Sequence, residues 1–142
     1  MSTGPAVVTG LTFVWLGMVL AISFLEAPLK FRAPDVTLRI GLGIGRLVFR
    51  ALNATEAILA VAIVVALVVS PSVRNIVAPA VAIAVLAAQL LLVRPRLTRR
   101  SNTVLAGQDP PHSHDHHTYV ALEAIKVAAL LVGGILLLAT SP

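Results

Sequence analysis

The sequence has no cysteine, only six acidic residues, and no charge of either sign between positions 1 and 25. Without cysteine there is neither a disulfide framework nor a thiolate site, and the redox compartment stays open. Charged residues make up 12% of the chain against 58% hydrophobic ones, and mean hydropathy is +0.95. That leaves too little polar surface to cover a soluble globule of 142 residues, whereas lipid requires no such cover. The apolar runs do not alternate over ten-residue units, which excludes a β-barrel. A nucleophile elbow, a phosphate loop and a metalloprotease helix are all missing, so nothing supports a catalytic assignment and the chain reads as a non-enzyme.

What is present is an all-α integral membrane protein of one transmembrane domain, residues 1–142. Residues 1–25, 57–73 and 75–93 are uncharged, and Thr118 to Thr140 is interrupted only by Glu123 and Lys126, which can pair across one turn. Each stretch is near the roughly 20 residues that a spanning helix needs. Four spans are therefore expected, as a four-helix bundle.

The bundle reads as two tandem hairpins. Pro28 stands 28 residues before Glu56-Ala57-Ile58, and Pro95 stands 28 residues before Glu123-Ala124-Ile125. A slide of 67 positions also superposes Arg32 on Arg99, Leu38 on Leu105 and Ala54 on Ala121 without a gap. This is the pattern of an internal duplication, with repeat one at about 6–73 and repeat two at about 75–140. Membrane proteins built from repeats tend to place their working residues where the repeats meet.

Orientation follows from the basic residues. Lys30, Arg32, Arg39, Arg46 and Arg50 fall in the first connector and Arg94, Arg96, Arg99 and Arg100 in the third, against Arg74 alone in the second. The positive-inside rule puts connectors one and three in the cytoplasm and both termini outside. The N-terminus lacks the basic region of a signal peptide, so the first span is expected to be retained as an anchor. The pI of about 11.2 is then a membrane signature rather than a nucleic-acid one.

From Asp35 to Asn53, at 100° per residue, Arg39, Arg46 and Arg50 share one narrow stripe and Val36, Ile40, Ile44, Leu47 and Val48 the other side. This predicts an amphipathic surface helix with Pro34 in its first turn, continuing into the second span. Its arginines offer either a docking surface for anionic lipid or an acidic partner, or a plain snorkelling anchor. Gly41 and Gly45 are spaced to admit a close neighbour. In the second half the equivalent helix is broken by Asp109-Pro110-Pro111, and all four histidines follow within six residues. If a helix starts after Pro111, His112 and His116 lie one turn apart, with His114, Asp115 and His117 beside them, a spacing that suits Zn, Ni or Cu. The alternative is a solvated, pH-responsive stretch. A bis-histidine haem is excluded, because no histidine lies at membrane depth on two facing helices.

The carboxylates point to a polar layer inside the bundle. Glu26 ends the first span, Glu56 opens the second and Glu123 the fourth, with Asn53 and Lys126 about one turn away from the latter two. Two readings of this cluster stand: a cation or proton site with Glu56 and Glu123 as paired carboxylates, or a structural clasp in which Lys30, Arg50, Arg94 or Lys126 neutralises the acids. Glu26 has no counterpart in the second half, where Val93 stands. Ala80, Ala84 and Ala88 form a small-residue ridge, Gly133-Gly134 serve close packing, and Gln89 can hydrogen-bond across such a contact. Trp15 reads as a packing or interfacial residue. Asn53-Ala54-Thr55 matches a glycosylation sequon that this topology makes irrelevant.

Trp15-Leu16-Gly17, Ala27-Pro28-Leu29-Lys30-Phe31, Leu52-Asn53 followed by Glu56, and His117 with Tyr119 and Glu123 together carry a resemblance over most of the length. With these motifs the chain resembles small four-helix bacterial inner-membrane proteins of unknown function that are loosely like the copper-resistance D family. The resemblance implies a four-helix fold in the bacterial cytoplasmic membrane. The two methionines and the absence of a methionine-rich tract speak against a copper role. Two functions follow: an accessory or scaffolding subunit of a larger membrane complex, or a small oligomeric carrier or efflux component for a cation or small solute. Four short helices enclose little pathway alone, so transport would call for a homo-oligomer.

Overall fold

The computed structural model describes residues 3–70, 76–107 and 115–140, without the side chains at 93, 94, 96, 97, 100 and 115–117. Among the described residues every regular element is helical. Helix α1 (Thr3–Val19) passes through a π-helical stretch, Leu20–Glu26, into the short α2 (Ala27–Lys30). Helix α3 is Leu38–Val69; α4 (Val77–Ala88) passes through a second π-helical stretch, Gln89–Val93, into α5 (Arg94–Leu105); α6 is Asp115–Thr140.

Three stretches, Thr3–Lys30, Leu38–Val69 and Thr118–Thr140, are long and apolar enough to cross a membrane, while the apolar stretch Val77–Leu92 is shorter. The expected third span, 75–93, is therefore not among the helices long enough to cross; its described apolar stretch is Val77–Leu92. Large apolar side chains stand exposed around the bundle, Ile58, Val61, Val65 and Val68 on α3 and Leu131, Val132, Ile135 and Leu138 on α6 among them. An outer surface of this kind suits lipid rather than water.

Both π stretches have a local cause. Pro28 and Pro95 lack a backbone N–H, so the carbonyl four residues earlier loses its α-helical partner. Widening the preceding turn re-registers the hydrogen bonds, and Ala27 N–H accordingly bonds to the Ile22 carbonyl, five residues back.

The amphipathic helix does run unbroken into the second span, as α3. Its start is later than expected, however, and Pro34 lies outside it. Asp35 takes a left-handed φ of 65°, which interrupts helix, and Thr37 in extended geometry caps the new start by accepting from Ile40 N–H at 3.2 Å. The corresponding segment of the second half behaves differently. There α5 prolongs the third helix to Leu105 and stops at Gly107, with φ of 81°, whereas the first half unwinds after Lys30. Asp109, Pro110 and Pro111 lie outside the described residues.

Helices α1 and α6 form a central pair; α3 flanks α1 and α4 flanks α6, while α3 and α4 touch little. One core runs through Val8, Trp15, Leu16 and Val19 of α1, Leu59, Ala60 and Ile63 of α3, Ala82 and Leu86 of α4, and Leu130 and Leu137 of α6. Close approach rests on small residues. A Cβ on Gly133 would stand 2.7 Å from Ala78 Cβ of α4, and one on Gly134 would stand 2.7 Å from the Phe13 ring of α1, so this pair admits both neighbours of α6. On α4 the expectation fails: Ala80 and Ala84 face outward, and the buried face is Pro79, Ala82, Val85 and Leu86. Gly41 and Gly45 receive side chains rather than a helix backbone. A Cβ on Gly41 would overlap the edge of the Phe31 ring, and one on Gly45 would stand 2.9 Å from Lys30 Nζ.

Candidate functional site: a buried lysine shared by two carboxylates

Among the described residues the core contains a polar island, fed by every long helix. Trp15 comes from α1, Glu56 from α3, Gln89 from the start of the second π stretch, and Glu123 and Lys126 from α6. Trp15, Glu56, Gln89 and Lys126 are 0% exposed and Glu123 is 2% exposed. A charge taken this far from water is tolerable only if it is paired and hydrogen-bonded.

Lys126 meets that demand in full. Its ammonium group has three N–H bonds, and three acceptors surround it: Glu56 Oε2 at 2.5 Å, Glu123 Oε1 at 2.7 Å and Gln89 Oε1 at 2.8 Å. The acids have further donors. Trp15 Nε1 donates to Glu56 Oε2 at 2.7 Å, and Gln89 Nε2 donates to Glu123 Oε1 at 2.7 Å and, more weakly at 3.4 Å, to the Tyr119 carbonyl. Gln89 is therefore oriented from both ends of its amide, accepting from the cation and donating to the anion. The Glu123–Lys126 pair is the one-turn contact expected from their spacing.

Glu56 and Glu123, the residues equivalent under the 67-position slide, converge on one cation. The pairing joins the two halves, since Lys126 on α6 reaches Glu56 on α3. Two carboxylates and one ammonium leave one formal negative charge if both acids are ionised. Two oxygens, Glu56 Oε1 and Glu123 Oε2, are buried without a hydrogen-bond partner among the described residues, as is Asn53 Oδ1.

The other members of the expected layer sit around this island. Asn53 is buried almost one turn before Glu56, on the same helix. Glu26 meets Lys30, 3.8 Å away and one turn on, in a partly exposed pair. Lys30 Nζ also lies 5.5 Å from the ring centroids of both Phe31 and Phe49, and Phe49 packs edge-on against Tyr119. Of the candidate neutralising groups, Lys126 serves Glu56 and Glu123, and Lys30 serves Glu26. Arg39, Arg46 and Arg50 lie on the N-terminal part of α3, where Arg39 and Arg50 are exposed and Arg46 half-buried.

Two residues were absent from the expected cluster. Gln89 carried a signal, being the lone amide in the apolar stretch Val77–Leu92, but its partner could not be read. Trp15 carried none beyond its type: an indole buries well as a packing residue, and only the approach of α3 gives its N–H an acceptor. The histidine segment stands apart. His112 and His114 lie outside the described residues, as do the side chains of Asp115, His116 and His117, whose backbone opens α6. Among the described residues no group of His, Asp and Glu is arranged to hold a metal ion.

Searches against protein-family profiles, curated proteins and solved structures find no match to the chain.

Proposed function

We propose that the protein is an accessory or scaffolding subunit of a larger membrane complex, anchored by a four-span bundle of two duplicated hairpins. The observation that carries this reading is the saturation of Lys126. A carboxylate that binds and releases an ion must be free to exchange partners, whereas Glu56 and Glu123 are each held by the same buried ammonium and by one further donor. That arrangement suits a clasp joining the hairpins, not a pathway.

The duplication is supported by local structure as well as by sequence. The two π stretches end at Glu26 and Val93, equivalent positions under the 67-position slide, and each is followed two residues later by proline. The packing order is the one that two side-by-side hairpins would give: α1 on α3, α4 on α6, and the halves joined through α1 and α6. Charge asymmetry supports the basic connectors as the cytoplasmic face and both termini as external. The likeness to small bacterial inner-membrane proteins rests on the short motifs quoted above.

A second reading, an oligomeric carrier for a cation or proton, is favoured by the unpartnered Glu56 Oε1 and Glu123 Oε2. Extraction from native membranes in mild detergent separates the two. The accessory reading expects a stoichiometric larger assembly that persists through a second purification step; a lone homo-oligomer would count against it.

A further inference from the structure

Between the N-terminal part of α3 and the paired π stretch and α5 lies a cleft of about 510 Å³. Arg46, Arg50 and Asn53 line it from α3, and Leu90, Thr98 and Leu105 from the other wall. Among the described residues no acidic one lines it. Arg46 and Arg50 are one turn apart on one face, so both guanidinium groups can reach one anion. At the inner end stands Asn53, 94% buried.

Below this level α3 becomes uninterruptedly apolar from Ala57 to Val69, so the cleft sits where basic helix gives way to lipid-facing surface. From these features we infer that the cleft is a binding site for the head of an anionic glycerophospholipid. Arg46 and Arg50 take the phosphodiester, and the first acyl carbons lie on Leu90, which belongs to the apolar stretch Val77–Leu92. The volume suits a head group with the start of its chains, and the exposed apolar helices carry the rest. This goes beyond the accessory reading and holds whether or not that reading does.

The test is lipid retention by the full-length protein, measured by native mass spectrometry after titrating phosphatidylglycerol or phosphatidylcholine with the same chains. Phosphatidylglycerol should be retained at one molecule per chain and phosphatidylcholine far more weakly. Arg46→Gln with Arg50→Gln should weaken phosphatidylglycerol roughly thirtyfold, the loss of two basic contacts. Arg39→Gln, on the same stripe but not in the cleft, should leave it unchanged. Thr98→Glu places a carboxylate on the opposite wall and should weaken it as well, without touching α3. Millimolar inorganic phosphate should not displace the lipid, because it has no chain to lay on Leu90. Equal retention of both lipids, an Arg39→Gln effect as large as that of the double variant, insensitivity to Thr98→Glu, or displacement by phosphate would each overturn the assignment.

Discussion

Replacing Lys126 with methionine keeps the stem and removes the ammonium, and it should be the most damaging single change in the polar island. Lys126 contributes three bonds, at 2.5, 2.7 and 2.8 Å, to acceptors on three elements. Its removal leaves Glu56 and Glu123 as two buried carboxylates sharing one pocket, with Trp15 and Gln89 as their remaining donors. Breaking a buried pair in this way costs about 3–5 kcal/mol. At roughly 3 °C per kcal/mol for a chain of this size, the melting temperature in detergent should fall by ~10 °C or more. Glu56→Gln or Glu123→Gln should cost far less, about 1 kcal/mol, because one carboxylate still balances the ammonium and the amide oxygen still accepts. The triple variant Lys126→Met, Glu56→Gln, Glu123→Gln should recover most of the loss, since no charge stays buried. A Lys126→Met protein that melts with wild type, or a triple variant no more stable than Lys126→Met, would refute the clasp.

Gly41→Ala should destabilise by about 1–3 kcal/mol through overlap with the Phe31 ring, while Gly43→Ala, where a Cβ meets nothing within 4 Å, should gain about 0.5–1 kcal/mol; thermal melts of both check the pair. Single cysteines report orientation: an impermeant thiol reagent added to intact cells should label Asn75→Cys and spare Thr37→Cys, and the reverse would invert the topology. If the histidine segment holds metal, Zn should bind at about one ion per chain by calorimetry near neutral pH, and His112→Ala with His116→Ala should remove most of the affinity; equal binding by the double variant would return the segment to a solvated stretch.

The helical class was legible because uncharged runs leave few alternatives, and the polar layer was legible because Glu56, Glu123 and Lys126 are costly at that depth. Which groups would meet was not. Helical periodicity places Glu123 and Lys126 on one face, but the partnership of Lys126 with Glu56 depends on α1 and α6 packing at the centre, a tertiary fact that runs of Leu, Val and Ala do not encode. The same limit hid the Trp15 contact and put the close-packing surface of α4 on Ala80 and Ala84 instead of Ala82. Boundaries failed for a local reason: Pro34 suited a first turn, yet the backbone of Asp35 and the cap at Thr37 set the start of α3 four residues later.

The central claim, that Glu56, Glu123 and Lys126 lock the hairpins together and form no pathway, is tested most directly by proton and monovalent-cation flux into liposomes containing the purified protein. The account predicts flux equal to that of empty liposomes for wild type, Glu56→Gln and Glu123→Gln alike. Wild-type flux above the empty control that either substitution abolishes, with the variant still folded, would contradict it.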